Sequence, residues 1–423
     1  METVNPLIFK ADINRIFDEK VAMANAATGR SRPVQKQTAK TSRTRPVKKR
    51  KLFSKGMGLD LGFLILVLVL LTIGTVMMFS ASYPVALYEI GDSYYYLKRQ
   101  LIFILVGVVA MIVVSFVDYH KFHKFCAVIM AVSYITLIAV LLIPSKTGVQ
   151  RWIGFGDVFT IQASEIAKFA VIVFLAHWGS KYFNKMQTFK YGVLPGVIVF
   201  GTTAILLFLE PHYSCIVIVA LLTIIMLYLS GIKLKWLVGA FIALAIVAVI
   251  AASTGMLTYA MSRMDGWGQA LSYTEENKWD TYQTRNSLYA IGSGGLWGLG
   301  LGQSRQKYLF LPEPQNDFIF AIVCEELGLI GAAIILLIFA LLVWRGITLS
   351  LRATDTFGKL LGMGLTAQIG LQVIMNIFVI TDWLPNTGIS LPFFSYGGSS
   401  LIMILAQMGI ILSISRTANI EKA

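Results

Sequence analysis

The chain has 423 residues, of which 56% are hydrophobic and only 14% are charged, and its formal net charge is +14 at pH 7. A soluble domain of this length needs far more charged side chains on its water-facing surface, so this composition excludes one. The chain is instead predicted to cross a membrane several times. Because lipid cannot hydrogen-bond to free backbone groups, we expect an all-α polytopic membrane protein.

Residues 1–57 form a basic segment without hydrophobic periodicity. The first 55 residues contain 14 Lys and Arg against four acids, which leaves +10 in this part of the chain. Such a composition predicts a disordered cytoplasmic tail. We favour attraction to anionic membrane lipid over nucleic-acid binding as its role, since basic tails beside membrane spans commonly act in this way. The following apolar run is too long for a cleavable signal peptide.

Apolar runs predict a membrane domain of ten transmembrane helices over residues 58–416. An even number of spans returns residues 417–423 to the side of the basic tail. Apart from the tail, twelve Lys and Arg fall on that side and nine on the other, which places both termini in the cytoplasm. The ten spans are 59–80, 99–117, 123–143, 163–178, 192–209, 213–230, 235–253, 317–345, 358–380 and 397–415.

The extracytoplasmic loops are predicted at 144–162, at 254–316 between helices 7 and 8, and at 381–398. Six glycines in residues 292–302 suggest a flexible backbone within the long loop. Long loops are often functional. No nucleotide-binding motif is found, so any chemistry is expected outside the cytoplasm, on a substrate that is already activated. No Cys or His spacing indicates a metal site.

Glu165 and Lys168 are three residues apart in "ASEIAKFA". This spacing places them on one helical face, where pairing reduces the cost of charge in lipid. A functional pair and a structural ion pair between helices are both consistent with the pattern.

The predicted outer side carries the cations Lys98, Arg99, Arg151, Arg305 and Lys307. Each by itself can be explained by a long side chain that reaches the lipid headgroups. Together around a cleft, they would instead bind an anionic phosphate.

Three acids lie in "LPEPQNDFIFAIVCEELG", where the apolar run of the eighth helix begins. Asp317 stands at the membrane boundary, where it could cap the helix or accept a proton from a sugar hydroxyl. Glu325 and Glu326 point about 100° apart on a helix, so they are not expected to serve one site. We interpret them as partners for neighbouring helices.

Three segments resemble the signature blocks of the SEDS family, which includes FtsW, RodA and SpoVE. They are "RWIGFGDVFTIQASEIAKFA", "YAIGSGGLWGLGLGQSRQKYLFLPEPQNDFIFAIVCEELGLIG" and "NIFVITDWLPNTGISLPFFSYGGSSLI". The resemblance covers residues 60–416 and keeps the family order of the blocks. It implies the SEDS fold and a membrane glycosyltransferase that polymerises peptidoglycan from lipid II. Two blocks are most similar to the FtsW and SpoVE members, which favours a role in division or sporulation.

The resemblance also implies site residues. Asp317 matches the catalytic aspartate of the family. Eight further residues either match functional positions of the family or belong to the outer cations, and we expect them to bind substrate. They are Arg99, Arg151, Glu165, Lys168, Lys307, Ser395, Gly397 and Gly398. Two positions depart from the family pattern. Ala163 replaces a proline two residues before Glu165, and His212 replaces an aspartate in "PHYS".

The implied reaction is inverting glycosyl transfer. The C4 hydroxyl of GlcNAc on one lipid II attacks the glycan on another lipid diphosphate, and Asp317 takes the proton. Cationic side chains, or a divalent ion (Mg²⁺ or Mn²⁺), stabilise the departing diphosphate. The implied partners are lipid II, a class B penicillin-binding protein and other divisome proteins.

Two other functions fit a polytopic protein with buried charges, namely a lipid II flippase and a non-catalytic scaffold for the transpeptidase. A flippase is expected to hold its key charges near the membrane midplane. The position of Asp317 at the boundary therefore favours the polymerase.

Overall fold

The computed structural model describes residues 58–142, 151–155, 159–240, 242, 253, 261, 264, 266–272, 274–275 and 277–422. The basic tail and most of the predicted seventh span lie outside the described residues. The domain boundary at residue 57 and the count of ten spans therefore stay predictions.

Nine of the ten predicted spans coincide with helices in the described part of the chain. Among the described residues, six helices are long and apolar enough to cross a membrane, and two shorter apolar helices accompany them. The helices are α1 (Leu61–Ile90), α2 (Tyr95–Phe116), α3 (His120–Lys124), α4 (Cys126–Leu142), α5 (Ala163–Lys181), α6 (Leu194–Leu209), α7 (Tyr213–Leu229), α8 (Tyr282–Gly294), α9 (Ile319–Leu351), α10 (Thr356–Ile380) and α11 (Gly398–Lys422).

Helices α2 and α11 pack closely because glycines face the contact. A Cβ added at Gly107 would lie 2.5 Å from Leu405, and one added at Gly409 would lie 2.4 Å from the carbonyl oxygen of Met111. In lipid, where no hydrophobic effect drives helices together, small residues allow the close approach that stabilises packing. This contact holds α11 in place, and the first residues of α11 carry part of the site.

Two paired β-strands precede α5. The apolar pattern of the sequence did not predict these strands. Strands β1 (Trp152–Phe155) and β2 (Phe159–Gln162) pair antiparallel, with Trp152 opposite Gln162. The backbone N–H of Gln162 donates to Oγ of Ser399 at 3.0 Å. The hairpin therefore joins the beginning of α5 to the beginning of α11.

Helix α9 is interrupted at Gly328, where φ is 67° and ψ is −173°. The segment after α8 packs against α9 at this interruption and forms four backbone hydrogen bonds with it. They include the bond from Leu299 N–H to the carbonyl of Glu325 (2.9 Å) and that from Leu329 N–H to the carbonyl of Gly295 (2.9 Å). A Cβ at Gly298 would lie 2.2 Å from the carbonyl oxygen of Glu326. The expected flexible segment is thus packed, and its glycines permit close contact between two backbones.

Candidate active site

Asp317 lies two residues before α9, where it is half-buried. Phe318 occupies the N-cap position and makes no capping hydrogen bond with its side chain. Asp317 therefore lies one residue before the N-cap position. The main-chain oxygen of Asp317 accepts a hydrogen bond from Nδ2 of Asn376 at 2.6 Å, which fixes the backbone that carries the carboxylate.

The segment before α11 holds residues 315–317 from the other side. Oγ of Ser395 donates to the carbonyl of Asn316 (2.8 Å) and accepts from the backbone N–H of Leu391 (2.8 Å). The backbone N–H of Tyr396 donates to the carbonyl of Gln315 at 2.8 Å. Ser395 thus positions the backbone beside Asp317, and its hydroxyl is engaged by protein groups.

Two further residues shape the surroundings of Asp317, and the sequence analysis missed both. Gly388 has φ of +69°, and a Cβ added to it would lie 3.2 Å from Oδ2 of Asp317. Asn376 is fully buried, and its Nδ2 also donates to the carbonyl of Ile389 at 2.7 Å. A buried amide in an apolar helix and the glycine of "PNTGIS" were the available signals.

Arg99 lies in the first turns of α2 beside the same segment. Its guanidinium carbon is 4.4 Å from the ring centroid of Tyr95. Burial raises the pKa of Tyr396, while the charge of Arg99 and its hydrogen bond to Tyr396 oppose that rise. The backbone N–H of Tyr396 also donates to the carbonyl of Gln315. Arg99 and residues 315–317 therefore both lie beside Tyr396.

Gly397 and Gly398 lie where α11 begins. A Cβ added at Gly398 would come within 2.6 Å of the Phe103 ring, and one at Gly397 within 2.4 Å of Oγ of Ser400. Both glycines thus allow tight packing near Asp317. They had been expected to contact substrate, and their observed contacts are with protein.

Glu165 and Lys168 form a second group in the first turns of α5. Nζ of Lys168 is 2.7 Å from Oε1 of Glu165, and both side chains are at most 5% exposed. Oε2 of Glu165 has no hydrogen-bond partner among the described residues. Burial makes pairing essential here, because removing one partner would leave an uncompensated charge.

Arg151 joins this second group through the loop between α6 and α7. Its guanidinium donates to the carbonyl of Pro211. Burial raises the pKa of Glu210 to about 8, with Arg151 opposing the rise. Burial lowers the pKa of His212 to about 3, and the charges of Arg151 and Lys168 lower it further. His212, at the family's aspartate position, is therefore buried and neutral at pH 7.

The two groups are connected where Gln162 bonds to Ser399. Gln162 lies three residues before Glu165, and Ser399 lies four residues after Ser395. The backbone that carries the Glu165–Lys168 pair is thereby joined to the backbone that supports Asp317.

Lys307 is fully buried and differs from the exposed cation expected for diphosphate binding. Its Nζ is 2.7 Å from Oε1 of Glu326 and 3.2 Å from Oγ of Ser80. Ser80 also donates to Glu326 at 2.7 and 2.8 Å. The ammonium is engaged by protein groups from α1 and α9, so in this conformation it anchors the long loop.

Glu325 binds the same loop, so the expectation that these two adjacent acids cannot serve one site is wrong. Its carboxylate accepts from the backbone N–H of Arg305 at 2.9 Å and from the hydroxyl of Ser304. Ser304 lies against α9 so that its backbone N–H donates to Glu326 while its hydroxyl donates to Glu325. The two glutamates anchor residues 304–307 instead of pairing with neighbouring helices only.

The described residues contain no group of three or more His, Cys, Asp or Glu side chains that could hold a metal ion. A divalent cation at this site would take most of its ligands from phosphate oxygens and water, as Mg²⁺ often does.

Residues 61–420 match the family model described as cell cycle protein, FtsW/RodA/SpoVE. The chain belongs to this family. The match spans the same region as the resemblance drawn from the sequence motifs, which is therefore confirmed.

Curated relatives agree with this assignment. Stage V sporulation protein E of Bacillus subtilis is 39% identical over 361 residues, which cover 84% of this chain and 97% of that protein. The probable peptidoglycan glycosyltransferase FtsW of Trichlorobacter lovleyi is 36% identical over 360 residues, which cover 84% of this chain and 93% of that protein.

Two solved structures share the fold. A chain of a peptidoglycan synthase complex, studied for its coordination of polymerization and crosslinking, has a TM-score of 0.69 at 22% identity, over 85% of this chain and 98% of that one. RodA of Thermus thermophilus has a TM-score of 0.62 at 23% identity, over 85% of this chain and 97% of RodA. The expected SEDS fold is confirmed, and this FtsW/RodA/SpoVE family member is a multi-pass membrane protein.

Proposed function

We propose that this protein is a peptidoglycan glycosyltransferase that polymerises lipid II. The observation that carries the proposal is the anchoring of residues 315–317 beside Arg99 at a membrane boundary. Asn376, Ser395 and Tyr396 hold this short segment through three hydrogen bonds of 2.6–2.8 Å. A catalytic carboxylate needs such a fixed backbone, because small displacements of reacting groups are costly in rate. The name of the FtsW relative supports the same activity.

In the proposed reaction, the C4 hydroxyl oxygen of GlcNAc forms a bond to the anomeric carbon of the sugar on a second lipid diphosphate. The bond from that carbon to the phosphate oxygen breaks, so inversion results and the lipid diphosphate leaves. The hydroxyl proton passes to the carboxylate of Asp317, which acts as general base. The diphosphate carries the activation, so no nucleotide is required.

Arg99 is the cation that we assign to the leaving diphosphate, because it lies beside Tyr396 and is only half-buried. Arginine suits this role through its planar set of donors. We also assign Arg151, Glu165 and Lys168 to substrate binding. The hydrogen bond between Gln162 and Ser399 places them at the same end of the bundle as Asp317. A divalent cation stays a prediction, and no step is assigned to it.

The decisive experiment compares purified wild-type protein with Asp317→Asn in glycan polymerisation from lipid II. We expect roughly a 10²–10⁴-fold loss of polymer, which is the usual contribution of general base catalysis. Equal yields from both proteins would reject Asp317 as the base. Lipid movement without polymer from the wild type would favour a flippase, and activity confined to the partner would favour a scaffold.

We further propose that the active site faces the extracytoplasmic side and that the protein works in septal or sporulation wall synthesis with a class B penicillin-binding protein. The likeness to a chain of a peptidoglycan synthase complex supports a crosslinking partner. The SpoVE and FtsW relatives are 39% and 36% identical to this chain, whereas RodA is 23% identical, and this difference supports a role in division or sporulation. Other divisome proteins and anionic lipid at the basic tail complete the proposed partners.

A further inference from the structure

An apolar groove lies between α6, α7 and the chain after α7. The cavity has a volume of about 290 Å³. Its walls come from residues that are apolar or small, apart from Thr223. Those that define it best are Val193, Val197, Phe200, Gly201, Leu227 and Trp236.

This groove lies at the end of the bundle opposite Asp317. Helix α5 begins beside Ser399, near the Asp317 segment, and ends at Lys181. Helix α6 therefore begins at the far end, where Val193 and Leu194 lie. The mouth of the groove is formed by residues 189–193 and 232–236, which are adjacent, since the rings of Phe189 and Trp236 are 5.3 Å apart.

The mouth carries positive charge without any acid. Residues 181–193 and 230–240 contain five lysines and no Asp or Glu. Lys190, Lys233 and Lys235 are exposed and lie within three residues of the lining residues Val193, Ile232 and Trp236. Nζ of Lys235 is 5.3 Å from the Trp236 ring centroid. The three lysines give the residues beside the groove a positive charge that suits an anionic headgroup.

We infer that this groove is a binding site for an anionic diacyl phospholipid. Lys190, Lys233 and Lys235 contact the phosphate, and one acyl chain enters the groove along Phe200 and Leu227. Cationic side chains beside a membrane attract anionic lipid, and basic pockets between helices bind such headgroups. The groove adds apolar burial to that attraction, so the lipid is held by both of its parts.

The charge of the rim decides between possible occupants. A zwitterionic lipid would gain the same apolar burial but little from three lysines. A transmembrane helix of a partner would bring mostly uncharged side chains to this depth. A polyprenyl phosphate shares the anionic head, so it must be separated by experiment.

The test uses the full-length protein in nanodiscs of equimolar phosphatidylglycerol and phosphatidylcholine. Native mass spectrometry then counts the lipids that stay bound after extraction. We expect retention of phosphatidylglycerol, and a roughly tenfold or greater loss in Lys190→Gln/Lys233→Gln/Lys235→Gln. The matched control Lys121→Gln/Lys124→Gln/Lys359→Gln removes equal charge at the same end and should stay within about twofold of wild type.

A second variant tests the groove without altering charge. A Cβ at Gly201 meets no atom within 4 Å, so Gly201→Leu should fill the cavity without disturbing the fold. It should lower phosphatidylglycerol retention, whereas Ala131→Leu on the exposed face of α4 should not. Equal retention by wild type and both groove variants would overturn the inference. Equal retention of the two phospholipids, or displacement of phosphatidylglycerol by equimolar undecaprenyl phosphate, would also overturn it.

Discussion

Gly388 leaves room for the carboxylate of Asp317 because it has no side chain. Its φ of +69° is unfavourable for other residues, and a Cβ there would lie 3.2 Å from Oδ2 of Asp317. We expect Gly388→Ala to lower polymerisation by roughly tenfold or more, since displaced catalytic groups lose rate steeply. Polymer yield and thermal stability should be measured together.

Gly91→Ala is the matched control for Gly388→Ala. Gly91 has φ of +80°, and a Cβ there meets nothing within 4 Å. It introduces similar backbone strain away from Asp317. Equal losses of activity in both variants would show that backbone strain, and not the contact with Asp317, is responsible.

Glu210 predicts a pH dependence of stability. Burial raises its folded pKa from 4.5 to about 8, so the folded protein retains a proton that the unfolded chain has lost. Stability therefore falls as pH rises from 4.5 to 8, by about 1.4 kcal/mol per unit. His212, with its pKa lowered from 6.5 to about 3, acts in the opposite direction, losing stability as pH falls below 6.5.

The window from pH 6.5 to 8 isolates the effect of Glu210. Over that range, the melting temperature of wild type in detergent should fall, and that of Glu210→Gln should fall less. The exposed acid Glu89 supplies the control Glu89→Gln. A slope unchanged by Glu210→Gln would contradict the proposed buried protonated carboxyl group.

The loop anchor of Ser80, Ser304, Lys307, Glu325 and Glu326 acts at the scale of elements, because it joins α1, α9 and the long loop. Lys307→Ala would leave Glu326 buried without its cation, at a cost of about 3–5 kcal/mol. We expect a large drop in melting temperature. The double variant Lys307→Met/Glu326→Gln should recover most of it, because it removes both charges.

The exposed pair Lys278–Glu275, at 3.2 Å, provides the comparison. Lys278→Ala should change stability by no more than about 1 kcal/mol. If Lys307→Ala instead melts like wild type but loses polymerisation, then Lys307 binds substrate after all, as the sequence had indicated. Thermal melting with a polymerisation assay on the same samples separates the two roles.

For the whole molecule, the distribution of Lys and Arg predicts an orientation in the membrane that is open to direct measurement. Trp297 is 80% exposed on the loop after α8, and Asn184 is exposed at the opposite end. In intact cells, an impermeant maleimide should label Trp297→Cys, whereas Asn184→Cys should require permeabilisation. The native cysteines are buried or half-buried, and the unsubstituted protein measures their background. The reverse labelling pattern would place Asp317 on the cytoplasmic side.

Most of the helical architecture could be predicted from the sequence. Nine predicted spans lie where the structure has helices, because lipid acts as a uniform solvent and each span must be apolar along its own length. The hairpin at 152–162 was missed. Its strands have four residues each, and their pairing and attachment to Ser399 depend on chain segments far apart.

The sequence by itself also determined the family and the candidate base, since Asp317 lies in a motif of contiguous residues. Only the tertiary structure decided what surrounds that base. Asn376 reaches Asp317 across 59 residues, and Lys307 meets Glu326 only because the loop folds back on α9. The fold of the loop on α9 also requires the close approach of backbones at Gly298 and Gly328, where any side chain would collide. The composition of a segment indicates whether lipid, water or protein surrounds it. The partners of a buried polar group depend instead on how distant segments pack.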